Sequence, residues 1–252
     1  MSGALDGQVV VVTGASRGLG RSMALACSRA GARVVATSRS RDPLDTLADE
    51  APTETLVAPA DVRDADAVAG VVEATVERFG RLDGLVNNAG VGLLSLRGEL
   101  KPVHEVTPAE WATVVETNLT GPFYFTKYAL PHMLDAGRGN VVNVSSGYGQ
   151  RGAAEWAPYS ASKHGLEGLT ASVALEVEDE GINVNGLLPG GSVETGFWDT
   201  DEKLSQLRPS ARDEVQSTDV LDDAAVALLA QGPDGVTGES LRVPAWEERL
   251  GG

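Results

Sequence analysis

Tyr159 and Lys163 stand four residues apart in a stretch of helical character, so their side chains share one face, a single turn apart. A free phenol titrates near pH 10, too high for efficient proton exchange at neutral pH. A neighbouring ammonium favours the phenolate and would lower that value. A Tyr and a Lys at this spacing arise by chance in many helices. Ser146, thirteen positions before Tyr159 and just after the apolar run Asn140–Val144, gives the pair definition. A hydroxyl there can donate to an oxygen on which negative charge develops.

A second cluster lies near the amino end, at Thr13-Gly14-Ala15-Ser16-Arg17-Gly18-Leu19-Gly20. Gly14 permits a tight turn, and Gly18 and Gly20 allow a helix start to lie close to a strand and to a bound anion. The spacing is Gly-x-x-x-Gly-x-Gly rather than the commoner Gly-x-Gly-x-x-Gly. A glycine turn after a strand can also be purely structural, but here it follows the buried run Val9–Val12 and opens an amphipathic stretch, which suits phosphate binding.

The elements that must position these residues alternate along the chain. Strands are predicted at Val9–Val12, Arg33–Thr37, Thr55–Pro59, Leu85–Val86, Asn140–Val144 and Asn183–Leu187. Helices are predicted at Gly20–Ala30, Asp42–Glu50, Ala65–Phe79, near Pro108–Ala136, near Pro158–Glu180 and near Asp222–Ala230. Continuous β-branched runs between helices imply an α/β fold, a doubly wound parallel sheet covered on both faces. Its ligand belongs at the carboxyl ends of the strands. No repeat, low-complexity tract or linker divides residues 1–252, so one domain is expected, with substrate loops at about 91–107 and 191–216.

Thr13–Gly20, Asn87-Asn88-Ala89-Gly90, Asn118, Ser146, Tyr159-x-x-x-Lys163 and Pro189-Gly190 occur in this order over nearly the whole chain. Together they resemble the short-chain dehydrogenase/reductase family. The resemblance implies a Rossmann-like fold, a nicotinamide cofactor and hydride exchange with a carbonyl or alcohol. It implies Asn118, Ser146, Tyr159 and Lys163 as the catalytic set, with Ser146 chosen over Ser145 by its spacing to the tyrosine. Lys163 would also hold the nicotinamide ribose, and Asn118 would anchor a water that relays protons to it. Implied cofactor contacts are Gly14, Ser16, Arg17, Gly18, Leu19, Gly20, Asp61, Val62, Asn88, Ala89, Gly90, Tyr159, Lys163, Pro189, Gly190 and Val193. Asp61 could instead simply cap the turn after it.

The second strand bears on the choice of cofactor. NAD-using enzymes end it with an acid that holds the ribose hydroxyls. Here it ends Thr37-Ser38-Arg39-Ser40, with Ser38 at the place of the acid. A serine can donate to a 2′-phosphate and an arginine can pair with it, so Ser38, Arg39 and Ser40, with Arg17 across the turn, favour NADP(H). Surface arginines are common singly; two at these positions with no acid point to the phosphate. The expected activity is that of an NADP(H)-dependent carbonyl reductase or alcohol dehydrogenase. A 3-oxoacyl thioester reductase has the same catalytic set, and a non-catalytic NADP-binding regulatory protein is the rival of another class.

Remaining residues bear on what the chain excludes. Its 20 Lys+Arg against 36 Asp+Glu give a formal charge of −16, which repels nucleic acid. Only Lys101, Lys127, Lys163 and Lys203 are lysines. This acidic, lysine-poor surface resembles that of proteins from salt-accumulating halophiles, though a high-GC genome yields a similar composition. Thermal melting in low and in molar salt separates the two. His104, His132 and His164 lack metal-ligand spacing, so no metal is expected. Cys27 cannot form an internal disulfide and reads as a packing residue. Tyr148, Trp156 and Trp198 fall where the substrate would be bordered, and Trp111 reads as packing. Met1 to Gln8 lack signal-peptide character and no apolar run suits a bilayer, so a cytoplasmic location is expected. The helices near 108–136 and 158–180 resemble the family's dimer-forming pair, implying a homodimer or homotetramer. The family's usual carboxyl ending is replaced by Val243-Pro244-Ala245-Trp246.

Overall fold

A computed structural model describes residues 3–193, 215–243 and 245–250. Seven parallel strands form one sheet in the order β3-β2-β1-β4-β5-β6-β7. They are β1 (Val9–Thr13), β2 (Arg33–Thr37), β3 (Thr55–Val57), β4 (Gly84–Asn87), β5 (Gly139–Val144), β6 (Ile182–Leu188) and β7 (Ser240–Arg242). The six strands predicted from apolar runs are all present. β7 follows Gly238 in the segment whose pattern departs from the family's usual ending.

Helices α1 (Gly18–Arg29), α2 (Asp42–Glu50), α3 (Ala65–Phe79) and α6 (Gly121–Ala136) alternate with the early strands. α7 (Ala157–Glu176), α8 (Asp222–Leu229) and α9 (Trp246–Leu250) accompany the later ones. Side chains alternating across the strands build a core on each face. Val10, Val12, Val34 and Val142 pack with α1 and α8. Val9, Val11, Val35 and Val141 pack with α3, α6 and α7. Both faces of β1 are thus covered, which is why it reads as an unbroken run of valines. α3 shows how local chemistry sets the limits: the Asp64 carboxylate accepts from the amides of Asp66 and Ala67, and Gly80 ends the helix at φ 72°.

Two expected elements differ. The long helix near Pro108–Ala136 is broken into α5 (Pro108–Val115) and α6 by a π-helical turn, Glu116–Thr120. Pro122 has no N–H and its ring collides with the carbonyl four residues back, at Asn118. The turn widens instead, and the Gly121 N–H donates to Glu116 O. The 91–107 segment is not a bare loop. It carries α4 (Leu93–Arg97) and a short 3₁₀ turn at Val103–Glu105. Glu110, buried at the start of α5, ties it down by accepting from Thr107 N, Lys101 Nζ and Arg97 Nε at 2.9–3.1 Å. The Thr107 amide above all, with Lys101, holds the Glu110 carboxyl at about 2.

Cys27 is fully buried where α1 meets α8, and burial pushes its thiol up to about 12. Packing is therefore its role. Asp222, at the start of α8, accepts from Ser22 Oγ at 2.8 Å. Its other carboxyl oxygen is buried with no hydrogen-bond partner among the described residues. Among the described residues no helix is long and apolar enough to cross a membrane, and no three His, Cys, Asp or Glu side chains cluster as metal ligands.

Burial raises the Asp222 carboxyl to about 6 from 3.8. The folded chain therefore binds this proton more tightly than the unfolded one. The associated stability is complete below about pH 4 and is lost as pH rises through about 6. Asp222→Asn is expected to raise the melting temperature by a few degrees at pH 8, roughly 1–2 kcal/mol after screening of a partly exposed group, and by less at pH 5. Melting curves at both pH values check this; an equal effect at each would assign it to packing alone.

Candidate active site

The strand order reverses direction between β1 and β4, where the connections leave toward opposite sides and a crevice opens. A cleft of about 560 Å³ lies there, lined by segments that follow the carboxyl ends of β1 through β6.

Its floor is the glycine turn. Gly14 has φ 67°, and a side chain on it would meet Ala89 Cα and Asn88 Nδ2, each at 2.9 Å. At Gly20 a Cβ would lie 2.3 Å from Asn88 Nδ2 and 2.4 Å from Gly14 O. Glycine is thus required because the Asn88-Ala89 segment lies directly on the turn. Thr13 locks the two together: its Oγ1 accepts from the amides of Asn88 and Ala89 at 2.9 and 3.0 Å, and Asn88 Nδ2 donates to Thr13 O. Thr13 was not among the expected site residues; its place at the end of a buried strand gave no sign of this lock.

At one end of the cleft stand Ser16, Arg17, Ser38, Arg39, Ser40, Asp61 and Val62. Arg17 and Arg39 are exposed and form no ion pair among the described residues. Asp61 is engaged by Arg63, whose Nε donates to its carboxylate at 3.0 and 3.1 Å. The Arg63 hydrogen bond pulls the Asp61 carboxyl below its ordinary range. Asp61 thus fastens its own turn and still borders the cleft. Arg63, absent from the sequence expectations, lines the cleft as well.

The other end gathers Ser146, Tyr159 and Lys163 beside Gly90, Pro189 and Val193. Ser146 is the second residue after β5, and its Oγ accepts from Tyr148 N at 3.2 Å. A Ser146 hydrogen bond reaches Tyr159. Lys163 is 4% exposed, and its Nζ donates to Val144 O at 2.7 Å. Burial pushes the ammonium down to about 8 and the Tyr159 phenol up to about 12, against the pull of Ser146. The expected lowering of the phenol by its neighbouring ammonium is not met by the protein's own groups. Lys163 Nζ lies 5.8 Å from the centre of the Tyr159 ring and spends a hydrogen bond on β5, so desolvation dominates.

Asn118 is completely buried in the π turn. Its Oδ1 accepts from Val91 N at 2.8 Å, while its Nδ2 donates to Val91 O at 2.8 Å and Ser162 Oγ at 3.0 Å. Its side chain therefore fixes the backbone after Gly90, and it is not among the cleft-lining residues. Gly190 departs from expectation too. At φ 81° it faces Val243 O, which a Cβ would approach to 2.3 Å, and it lies outside the lining. Its task is to let the chain turn beside β7.

Tyr148 and Trp156 border the Tyr159 end of the cleft. Their rings stack at 4.7 Å and 25°, and both meet Tyr159 edge-on, at 6.3 and 5.5 Å. Trp198 lies outside the described residues. Val91, Ser95 and Leu96, in the 91–107 segment read as a substrate loop, complete this end with Thr113 of α5 and Thr117 of the π turn; the part of the last two was not legible in the sequence.

Residues 8–204 match the family model for short chain dehydrogenases. A 3-oxoacyl-[acyl-carrier-protein] reductase from Synechocystis sp. is 38% identical over 259 residues, covering 95% of this chain and 96% of that protein. Carveol dehydrogenase from Mycobacterium avium, solved with NAD, superposes with a TM-score of 0.87 at 29% identity, covering 96% of this chain and 98% of its own. A metagenomic short-chain oxidoreductase solved with NADP superposes at 0.79 with 32% identity, covering 95% and 98%.

Proposed function

Since the chain belongs to the short-chain dehydrogenase/reductase family of oxidoreductases, we propose that it is an NADP(H)-dependent carbonyl reductase working through Tyr159. The observation that carries this reading is the convergence of Ser146, Tyr159 and Lys163 at one end of the cleft.

Bound nicotinamide supplies or takes the hydride. Ser146 donates a hydrogen bond to the substrate oxygen, and Tyr159 delivers its proton there as negative charge grows. In alcohol oxidation the tyrosinate takes the proton back. Lys163 places positive charge behind the phenol and holds the ribose hydroxyls. Asn118 keeps Gly90-Val91 in place through its amide. By the family's pattern Asn118 would also anchor the water that relays protons to Lys163.

NADP(H) is preferred because Arg17 and Arg39 stand exposed beside Ser38, and Asp61 is already engaged by Arg63. The remaining cofactor contacts are Gly14, Ser16, Gly18, Leu19, Gly20, Ser40, Val62, Asn88, Ala89, Gly90, Pro189 and Val193. The substrate is a compact, largely apolar ketone or alcohol. Aromatic rings wall the catalytic end; among the described residues Lys163 is the one cationic side chain that lines it, with Arg151 outside the lining over the Tyr148 ring at 5.8 Å. The 38% identical relative favours a second reading, reduction of a 3-oxoacyl thioester. The chain assembles as a homodimer or homotetramer through α5 to α7, where Trp111, Phe123 and Leu175 are exposed.

Steady-state kinetics on a carbonyl panel tests these readings. NADPH is expected to show a KM at least tenfold below that of NADH; equal values would refute the phosphate contacts. Tyr159→Phe is expected to lower kcat by a factor of about 10³ or more while cofactor affinity stays within about threefold. Substantial residual turnover would disprove its role. Cofactor binding without turnover on any ketone or thioester would instead support a regulatory protein.

A further inference from the structure

One buried-facing charge of α7 has no part in the mechanism above. Glu167 lies one helical turn beyond Lys163 and is half-buried. Its Oε1 accepts a hydrogen bond from Ser145 Oγ, and its Oε2 accepts one from Ser240 Oγ. Ser145 immediately precedes Ser146, at the exit of β5, and Ser240 opens β7. One carboxylate thus joins three elements, α7, β5 and β7.

The surroundings are shaped around this group. A Cβ on Gly149 would sit 3.0 Å from Ser145 Oγ and 3.1 Å from Glu167 Cγ. A Cβ on Gly186 would sit 3.3 Å from Ser240 Oγ and 3.6 Å from Glu167 Oε2. Glycine at both positions admits the carboxylate and its two serines. Glu167 is also the charged group that acts on Lys163, raising its proton affinity against the effect of burial. The other groups facing that ammonium are the Val144 carbonyl, the Tyr159 ring and, across Gly90, the neutral Asn118 amide.

We propose that Glu167 is a positioning residue, clamping the turn that carries Ser146 onto α7 and setting its carboxylate one helical turn from the Lys163 ammonium. The clamp works through Ser145: the hydroxyl that the family spacing passes over for catalysis is committed to Glu167, which leaves Ser146 to face the cleft. The charge works through one turn of helix, close enough to matter in a desolvated site. This inference rests on the carbonyl-reductase reading for its meaning, and its test has an arm independent of turnover.

Glu167→Gln is nearly isosteric and keeps an acceptor for one serine, so it removes the charge while retaining most of the clamp. Glu167→Ala removes both. Chain labelled with ¹³Cε-lysine contains four lysines; the Lys163 resonance is assigned by its loss in Lys163→Arg. In Glu167→Gln the midpoint of Lys163 is expected to fall by about half to one pH unit. The alkaline limb of kcat/KM for ketone reduction moves in the same direction. Glu167→Ala is expected to show the same shift and a further loss of kcat of about tenfold or more, with KM for NADPH little changed. If both variants only lower the melting temperature, with the Lys163 midpoint and the limb unmoved, Glu167 is purely structural and the proposal falls. If the unmodified chain reduces nothing on the panel, the functional reading falls, while the lysine titration still decides the electrostatic claim.

Discussion

An ammonium buried against the end of a β-strand governs the arrangement of this molecule. Removing Lys163 from water costs several kcal/mol unless its charge is hydrogen-bonded. The Val144 carbonyl meets that need at 2.7 Å, and it is available because it lies at the last position of β5. A helix must therefore run past the carboxyl end of that strand at a fixed height. α7 does so, and the phenol one turn earlier is carried to the mouth of the same crevice.

The sheet holds α7 at that height through a buried polar seam. Asn87 Nδ2 donates to Asn143 Oδ1, Asn143 Nδ2 donates to Thr170 Oγ1, and Thr170 Oγ1 donates to Leu166 O, at 2.8–2.9 Å. Apolar packing alone would let a helix slide; directional bonds from two neighbouring strands fix its register. The cofactor end uses the same device, with Thr13 and Asn88 bonding across adjacent strands. In both halves the side chains that border the cleft stand on others that never reach it.

The sequence is most readable where one physical requirement dominates. Val9 to Val12 had to be a strand buried on both faces, and Gly14 and Gly20 had to admit a closely approaching backbone. The four-residue spacing of Tyr159 and Lys163 becomes a shared face through helix geometry alone. Requirements arising from distant segments are far less visible. Thr13 looks like any strand residue until Asn88 is laid upon it, and Gly190 gives no sign in the sequence of the close approach of Val243. Asn118 reads as a mid-helix polar residue because Pro122, a few positions later, gives no outward sign of widening the turn. The direction of the Tyr159 shift depends on burial, which spacing does not reveal.

The π turn at Glu116–Thr120 also constrains how the chain can change length. A widened turn holds one more residue than the α-helix it interrupts, so shortening this stretch by one would yield a smoother and intrinsically more regular rod. That rod would rotate everything on one side of the deletion by about 100° relative to the other. Either Asn118 would lose Val91, or the apolar face of α6 bearing Phe125 and Met133 would swing away from the sheet. The irregular helix is thus the one length at which both ends are seated, and single-residue insertions or deletions here should be far rarer than substitutions.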